Sequence, residues 1–195
     1  MSITKYHIDC QYVKRKCTRH MDIKSELLRR IDESDNEQVV ELESETDIAK
    51  SDWFQASDFS SRKWVKYIKQ YLVPDLLEMC KSVGFDGFKM WEIWFQQYCK
   101  TNGHGWHTHS ANWTSVYYLE LPPDAPKTQI VNPYTQNIIE VDVEEGDMLM
   151  FPSFILHRAP LMPNESSIRK TVVSYNIDGI YSNEIYGQGV KNTLI

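Results

Sequence analysis

The chain has 195 residues, of which 42% are hydrophobic and 25% charged, with a formal net charge of −6. This balance suits one soluble domain with a sizeable core and excludes a disordered chain. The acidic excess argues against a broad nucleic-acid-binding face, and no apolar run reaches the ~18 residues of a membrane span.

The first residues lack the apolar core of a signal peptide. Cys10, Cys17, Cys80 and Cys99 form no C-x-x-C pair, so a zinc ribbon is not expected and a cytoplasmic location with reduced thiols is. Lys14, Arg15, Lys16 and Arg19 read as a solvated basic patch.

In chain order, residues 6–13 can form a strand. Residues 22–28 suit a short helix capped by Asp22, with Ile23, Leu27 and Leu28 on one side. Residues 32–47 are acidic, interrupted by Val39, Val40 and Leu42, and read as an exposed loop or edge element. Ser60 or Ser61 can cap the clearest helix, which runs to about Ser82. Trp64, Val65, Ile68, Leu72, Leu76, Leu77 and Met79 fall on one helical face. Pro74 is expected to kink or divide this helix and Gly84 to end it. After Gly87 the texture changes to short strands: 90–98, 113–120, 128–131, 138–143, 147–151, 153–157 and 169–177. That spacing predicts a sandwich or barrel, a mainly β (α+β) fold with N-terminal helices packed on it.

The chemistry concentrates in two stretches. His107 and His109 are two residues apart, which on a strand puts both imidazoles on one face. His157 closes a distant stretch that begins Gly146-Asp147 and continues Phe151-Pro152-Ser153. Two histidines close in sequence and one from afar can build a metal site that leaves positions open for water, oxygen or substrate. His104, three residues before His107, is expected on the opposite face of a continuous strand. Arg169 opens the last strand, with Thr171 the next hydroxyl on its face. An arginine there can grip a carboxylate bidentately.

Taken together, these residues resemble the 2-oxoglutarate- and Fe(II)-dependent oxygenases, most closely a phage and bacterial type with a His-x-His motif and a distal His. The resemblance spans residues 91–176, about half the chain. It rests on His107-Thr-His109 before the strand 115–119, Gly146-Asp147, Phe151-Pro152-Ser153, His157, Arg169-Lys-Thr171 and Ser174-Tyr175-Asn176. It implies a double-stranded β-helix (jelly roll) over 86–178, with 1–85 as a supporting region and 179–195 as a tail of one domain. It also implies that His107, His109 and His157 hold Fe(II), that Arg169 and Thr171 hold the distal carboxylate of 2-oxoglutarate, and that Tyr98 and Tyr118 contact the same cosubstrate. O2 and a substrate of unspecified class would be the other partners. His109 stands where such enzymes more often carry a carboxylate, which removes one negative charge from the ligand set. Two readings stay open beside this one: a cupin-type metal enzyme, and a barrel that binds a partner without turnover.

Overall fold

The computed structural model describes residue 3 and residues 9–164 and 167–181. In chain order the elements are β1 (Val13–Lys16), α1 (His20–Asp32), β2 (Glu37–Glu41), β3 (Thr46–Ser51), a 3-10 turn (Trp53–Gln55), α2 (Lys63–Ser82), β4 (Gly87–Tyr98), β5 (His104–His107), β6 (Trp113–Glu120), β7 (Gln129–Val131), β8 (Ile138–Glu140), β9 (Asp147–Pro152), β10 (His157–Ala159) and β11 (Lys170–Ile180). They form a seven-stranded sheet, β1-β9-β6-β11-β4-β3-β2, and a four-stranded sheet, β5-β10-β7-β8. Among the described residues, these strands pair antiparallel throughout.

The large sheet is covered on both faces, and that decides its composition. One face packs on the helices: Trp64, Ile68, Leu72, Leu76 and Met79 of α2 and Ile23, Leu27 and Ile31 of α1 meet Ile93, Phe95, Tyr117, Val173, Tyr175 and Ile177. The other face looks toward the small sheet, where Tyr98, Tyr118, Leu149, Phe151 and Val172 cluster with Ile130, Val141 and Ile155. Burying each such side chain contributes about 1.5–3 kcal/mol, so the helices are integral to the sheet's stability. No described helix is long and apolar enough to cross a membrane.

Several local expectations are corrected. The first strand is Val13–Lys16; residues 9–12 are irregular, and residues 6–8 lie outside the described set. Helix α1 extends from His20 to Asp32 and its N-cap is Arg19, with Asp22 inside the first turn. The acidic stretch, by contrast, is an edge element as expected: it folds into the β2–β3 hairpin, which joins the large sheet through β4 and leaves β2 at its edge. Together with β1 on the other edge, the region before residue 86 thus supplies three strands as well as both helices.

Neither Ser60 nor Ser61 caps α2. Asp58 Oδ1 instead accepts from both their backbone N–H groups, at 2.8 and 3.0 Å, and Arg62 is the N-cap. The helix runs through Pro74 as one element. It ends as expected at Gly84 (φ +89°), where the Gly84 N–H bonds the Lys81 carbonyl and the Phe85 N–H bonds the Cys80 carbonyl. This paired closure needs a left-handed residue, which favours glycine. Residues 153–156 are a turn rather than a strand, because the chain here crosses from the large sheet to the small one.

One buried carboxylate ties α2 to the sheet. Asp52, fully buried, accepts from Arg62 Nη1 (2.8 Å), Trp64 Nε1 (2.8 Å) and the Phe95 backbone N–H (3.0 Å). Burial pushes its pKa up, with the Arg62 guanidinium opposing. Removing one partner of such a pair strands the other charge in the core. Asp52→Ala is therefore expected to cost about 3–5 kcal/mol, read as a lower urea midpoint with an unchanged m-value.

Candidate metal centre

The histidines meet between the two sheets. β5 and β10 pair antiparallel with His107 opposite His157 and His104 opposite Ala159. Four residues on β5 therefore span three on β10. The bulge resets the alternation of side chains and turns His104 to the same side as His107. This corrects the opposite-face expectation: the two rings stack, centroids 3.7 Å apart and 14° between planes. The neighbouring Gly105 has no room for a side chain, since a Cβ there would fall 1.5 Å from the Ser44 carbonyl oxygen. The β2–β3 hairpin thus presses its turn against the strand that carries the histidines.

One ring nitrogen from each of His107, His109 and His157 lies within 4.8 Å of the others. His109 sits just past the end of β5, held by its backbone N–H to the Ser153 carbonyl (3.1 Å). Two of the three tautomers follow from the partners. His107 Nδ1–H donates to the Gly105 carbonyl (2.7 Å) and His157 Nδ1–H to the Ile155 carbonyl (2.9 Å). A carbonyl can only accept, so each Nε2 keeps its lone pair for a ligand. His109 Nε2 lies 3.2 Å from His157 Nε2. Burial lowers the pKa of all of these rings, His109 to about 4 and His157 well below its ordinary value, with neighbouring imidazoles adding to the shift. His107 is lowered too, with burial the largest cause. The rings are neutral at pH 7, which is the form that binds metal. Neutral, convergent imidazoles with preset tautomers fit a divalent transition metal.

A small cavity of about 30 Å³ adjoins the cluster. The large sheet lines it with Trp94, Gln96 and Tyr98 from β4, Thr114 and Val116 from β6, and Lys170, Val172 and Ser174 from β11. Tyr98 therefore faces the cavity. Tyr118 reaches it through a hydrogen bond from its hydroxyl to Thr128 Oγ1 (2.6 Å), and Thr128 is a lining residue.

Arg169 and Thr171 do not line this cavity. On β11 the even-numbered residues 170, 172 and 174 point into it, and the odd ones point away. Arg169 grips Glu120 through Nε (2.8 Å) and Nη2 (3.2 Å) and reaches Asp32 through Nη1 (2.9 Å). Thr171 Oγ1 donates to the same Glu120 carboxylate at 2.5 Å. The fully buried cation in the cavity is the residue between them; Arg158, half-buried, also lines it. Lys170 is 1% exposed; its Nζ donates to the Pro126 carbonyl (2.7 Å) and lies 5.6 Å from the centre of the Tyr98 ring. Burial lowers its pKa to about 8. Nothing in the sequence separates it from Arg169, since β11 is buried on both faces and shows no polar alternation.

Neither a protein-family model nor a curated protein sequence matches the chain. Solved structures do. An oxidoreductase of the 2OG-Fe(II) oxygenase family from Burkholderia pseudomallei superposes with a TM-score of 0.66 at 11% identity, over 87% of this chain and 88% of that one. A Pseudomonas putida prolyl-4-hydroxylase gives 0.59 at 14% identity, over 87% and 93%. The non-heme alpha ketoglutarate dependent epimerase SnoN from nogalamycin biosynthesis gives 0.63 at 8% identity, over 95% and 88%. The chain thus has the fold of the solved 2OG-Fe(II) oxygenases, with three neutral histidines gathered between its two sheets.

Proposed function

We propose that the protein is a 2-oxoglutarate- and Fe(II)-dependent oxygenase built on a double-stranded β-helix. It would oxidise a substrate, by hydroxylation in the simplest case, while O2 converts 2-oxoglutarate to succinate and carbon dioxide. One observation carries this reading: a cavity that has three convergent imidazoles and also one buried cation, Lys170. A cupin-type centre has no use for that ammonium, whereas a dicarboxylate bound to a metal at one end needs a cation for the other. A similar structure, SnoN, is described in complex with Fe3+ and alpha ketoglutarate.

In this reading His107, His109 and His157 hold the iron, which supplies O2 activation when bound. Lys170 binds the remote carboxylate in place of the Arg169 and Thr171 expected from sequence. Tyr98 and Thr128 flank that carboxylate, and Tyr118 orients the Thr128 hydroxyl. Trp94, whose ring lies 5.8 Å from that of His109, and Val116 exclude water from the interior side. The Ser174 hydroxyl donates to Gln96 Oε1 (3.1 Å), and the Gln96 amide meets His104 Nδ1 at 3.3 Å. This chain holds His104 with its Nε2 protonated, as a hydrogen-bond donor at the rim.

The test is anaerobic addition of Fe(II) and 2-oxoglutarate to the purified protein. A visible metal-to-ligand charge-transfer band is expected, followed by succinate on admission of air. Bound metal without any band would favour the cupin reading. A band with no succinate under any condition would favour a non-catalytic sensor.

A further inference from the structure

Strand β2 ends the large sheet, and only β3 pairs with it among the described residues. An antiparallel strand sends alternate N–H and C=O pairs to each side, so the outer edge of β2 presents a row of unpaired backbone groups. Sheet edges are ordinarily guarded by lysine, proline or a bulge. β2 reads Glu37-Gln-Val-Val-Glu41, with neither lysine nor proline, and four of its five residues are exposed. Its one register shift falls between Glu37 and Val39; residues 39–41 keep regular register with β3.

This edge is firmly held. The Asp47 backbone N–H donates to the Gly103 carbonyl (3.0 Å) and the Gly103 N–H to the Asp47 carbonyl (2.8 Å). Val39 packs on the core between the sheets, and the Ser44 carbonyl seats against Gly105. An added strand meets a template already in place, so little ordering opposes it. Beside β2 lies an open groove of about 440 Å³, lined by Glu37, Val40, Glu41, Trp53 and Phe54 among others. Val40, Trp53 and Phe54 are each roughly half exposed, and neither ring has a ring or cation partner among the described residues.

Charge selects the occupant. Asp35, Glu37, Glu41, Glu43, Glu45 and Asp47 follow one another with no basic residue between them. Among the described residues none of the six forms an ion pair, and the nearest arginines in sequence, Arg29 and Arg30, are committed to Glu26 and Glu33. A second copy of the chain pairing edge to edge would set these carboxylates against their own equivalents, which repels. A basic strand gains in three ways: backbone bonds along β2, opposite charges across the pair, and cations over the open faces of Trp53 or Phe54.

We propose that the outer edge of β2, with the groove at Trp53 and Phe54, docks an extended basic segment of a partner polypeptide, which joins the large sheet as a further strand. Its lysines or arginines meet Glu37 and Glu41, and its apolar residues cover Val40. The turn of the same hairpin touches the strand that carries His104 and His107, so the docked segment lies on the element that braces the metal centre. The assignment does not depend on what that centre catalyses.

The experiment is NMR and calorimetric titration of the full chain with the acetylated, amidated peptide Lys-Val-Arg-Val-Lys-Val-Arg. Its controls are the same peptide with Glu at each basic position, and a basic version N-methylated on adjacent central residues, which blocks either edge while keeping the charge. The basic peptide is expected to bind tenfold or more tightly than both controls, with shifts at the backbone amides of residues 37–41 and at the Trp53 indole N–H. Glu37→Lys together with Glu41→Lys is expected to weaken it at least tenfold and to let the acidic peptide bind, a gain that misfolding cannot mimic. Equal affinity for basic and acidic peptides, no binding, undiminished binding of the N-methylated peptide, or indifference to the double charge reversal overturns the proposal. A concentration-dependent dimer that Val40→Lys abolishes would give the edge to a second copy and overturn it as well.

Discussion

Replacing His157 with alanine is expected to abolish stoichiometric metal binding. The three rings converge from separate places, β5, the segment after it and β10, and neither remaining pair closes a site. Zinc bound by four protein ligands has apparent free energies of about 10–16 kcal/mol, roughly 2.5–4 per ligand, so one lost imidazole weakens binding on the order of 10² to 10³-fold. His107→Ala has the same expected result. His104→Ala removes a ring that stacks on His107 but lies outside the three-nitrogen group, and should weaken metal less than about tenfold. Anaerobic titration with Fe(II), or with Zn(II) as a redox-inert probe, separates the variants. Stoichiometric metal in both His107→Ala and His157→Ala would refute the ligand assignment.

The same rings fix a pH dependence. Their folded pKa values lie below the unfolded value of 6.5, His109 at about 4. Between those values the unfolded chain binds more protons than the folded one, so stability rises with pH. The metal-free protein is expected to lose stability as pH falls from about 6.5 toward about 4, and His109→Ala should flatten that slope in urea melts.

The second large effect concerns Lys170. Lys170→Met is expected to weaken 2-oxoglutarate by about 2–5 kcal/mol, roughly 30- to 5,000-fold in Kd, because it strands a carboxylate in a dry cavity. The same change should stabilise the cosubstrate-free fold. Burial moves this ammonium from 10.5 to about 8, a cost of roughly 3 kcal/mol at neutral pH that methionine does not carry. The sign is opposite to that of a surface salt bridge: stability of the native chain rises between about pH 8 and 10.5, while 2-oxoglutarate affinity falls over the same range as the ammonium is lost. Arg169→Ala gives the contrast. It breaks the ties to Glu120 and Asp32, lowers stability by about 1 kcal/mol, and should leave 2-oxoglutarate affinity within about twofold. A large loss of cosubstrate in Arg169→Ala with none in Lys170→Met would reverse the assignment.

What the sequence determined by itself is local. The apolar spacing from Trp64 to Met79 sets an amphipathic α2, because a 3.6-residue period leaves one face to bury. Gly84 ends it, because the closing turn needs positive φ. Aromatic and β-branched runs such as Trp113–Glu120 can only be strands packed on something. The pairing of His107 and His109 with His157 was readable because short spacing and residue chemistry together restrict what three imidazoles can do.

Tertiary structure decided the rest, and the reasons are steric. β11 is buried on both faces, by helices on one side and the cavity on the other, so its side chains show no polar alternation to set parity. Arg169 and Lys170 are then equivalent in sequence, and a one-residue choice moves the cation from the cavity to the Glu120–Asp32 surface pair. The β5 bulge that turns His104 inward depends on pairing with β10, more than fifty residues away, and on the β2–β3 turn pressing against Gly105. Glu92 and Asn176, distant in sequence, lie side by side beyond the histidines only because β4 and β11 pair in one register.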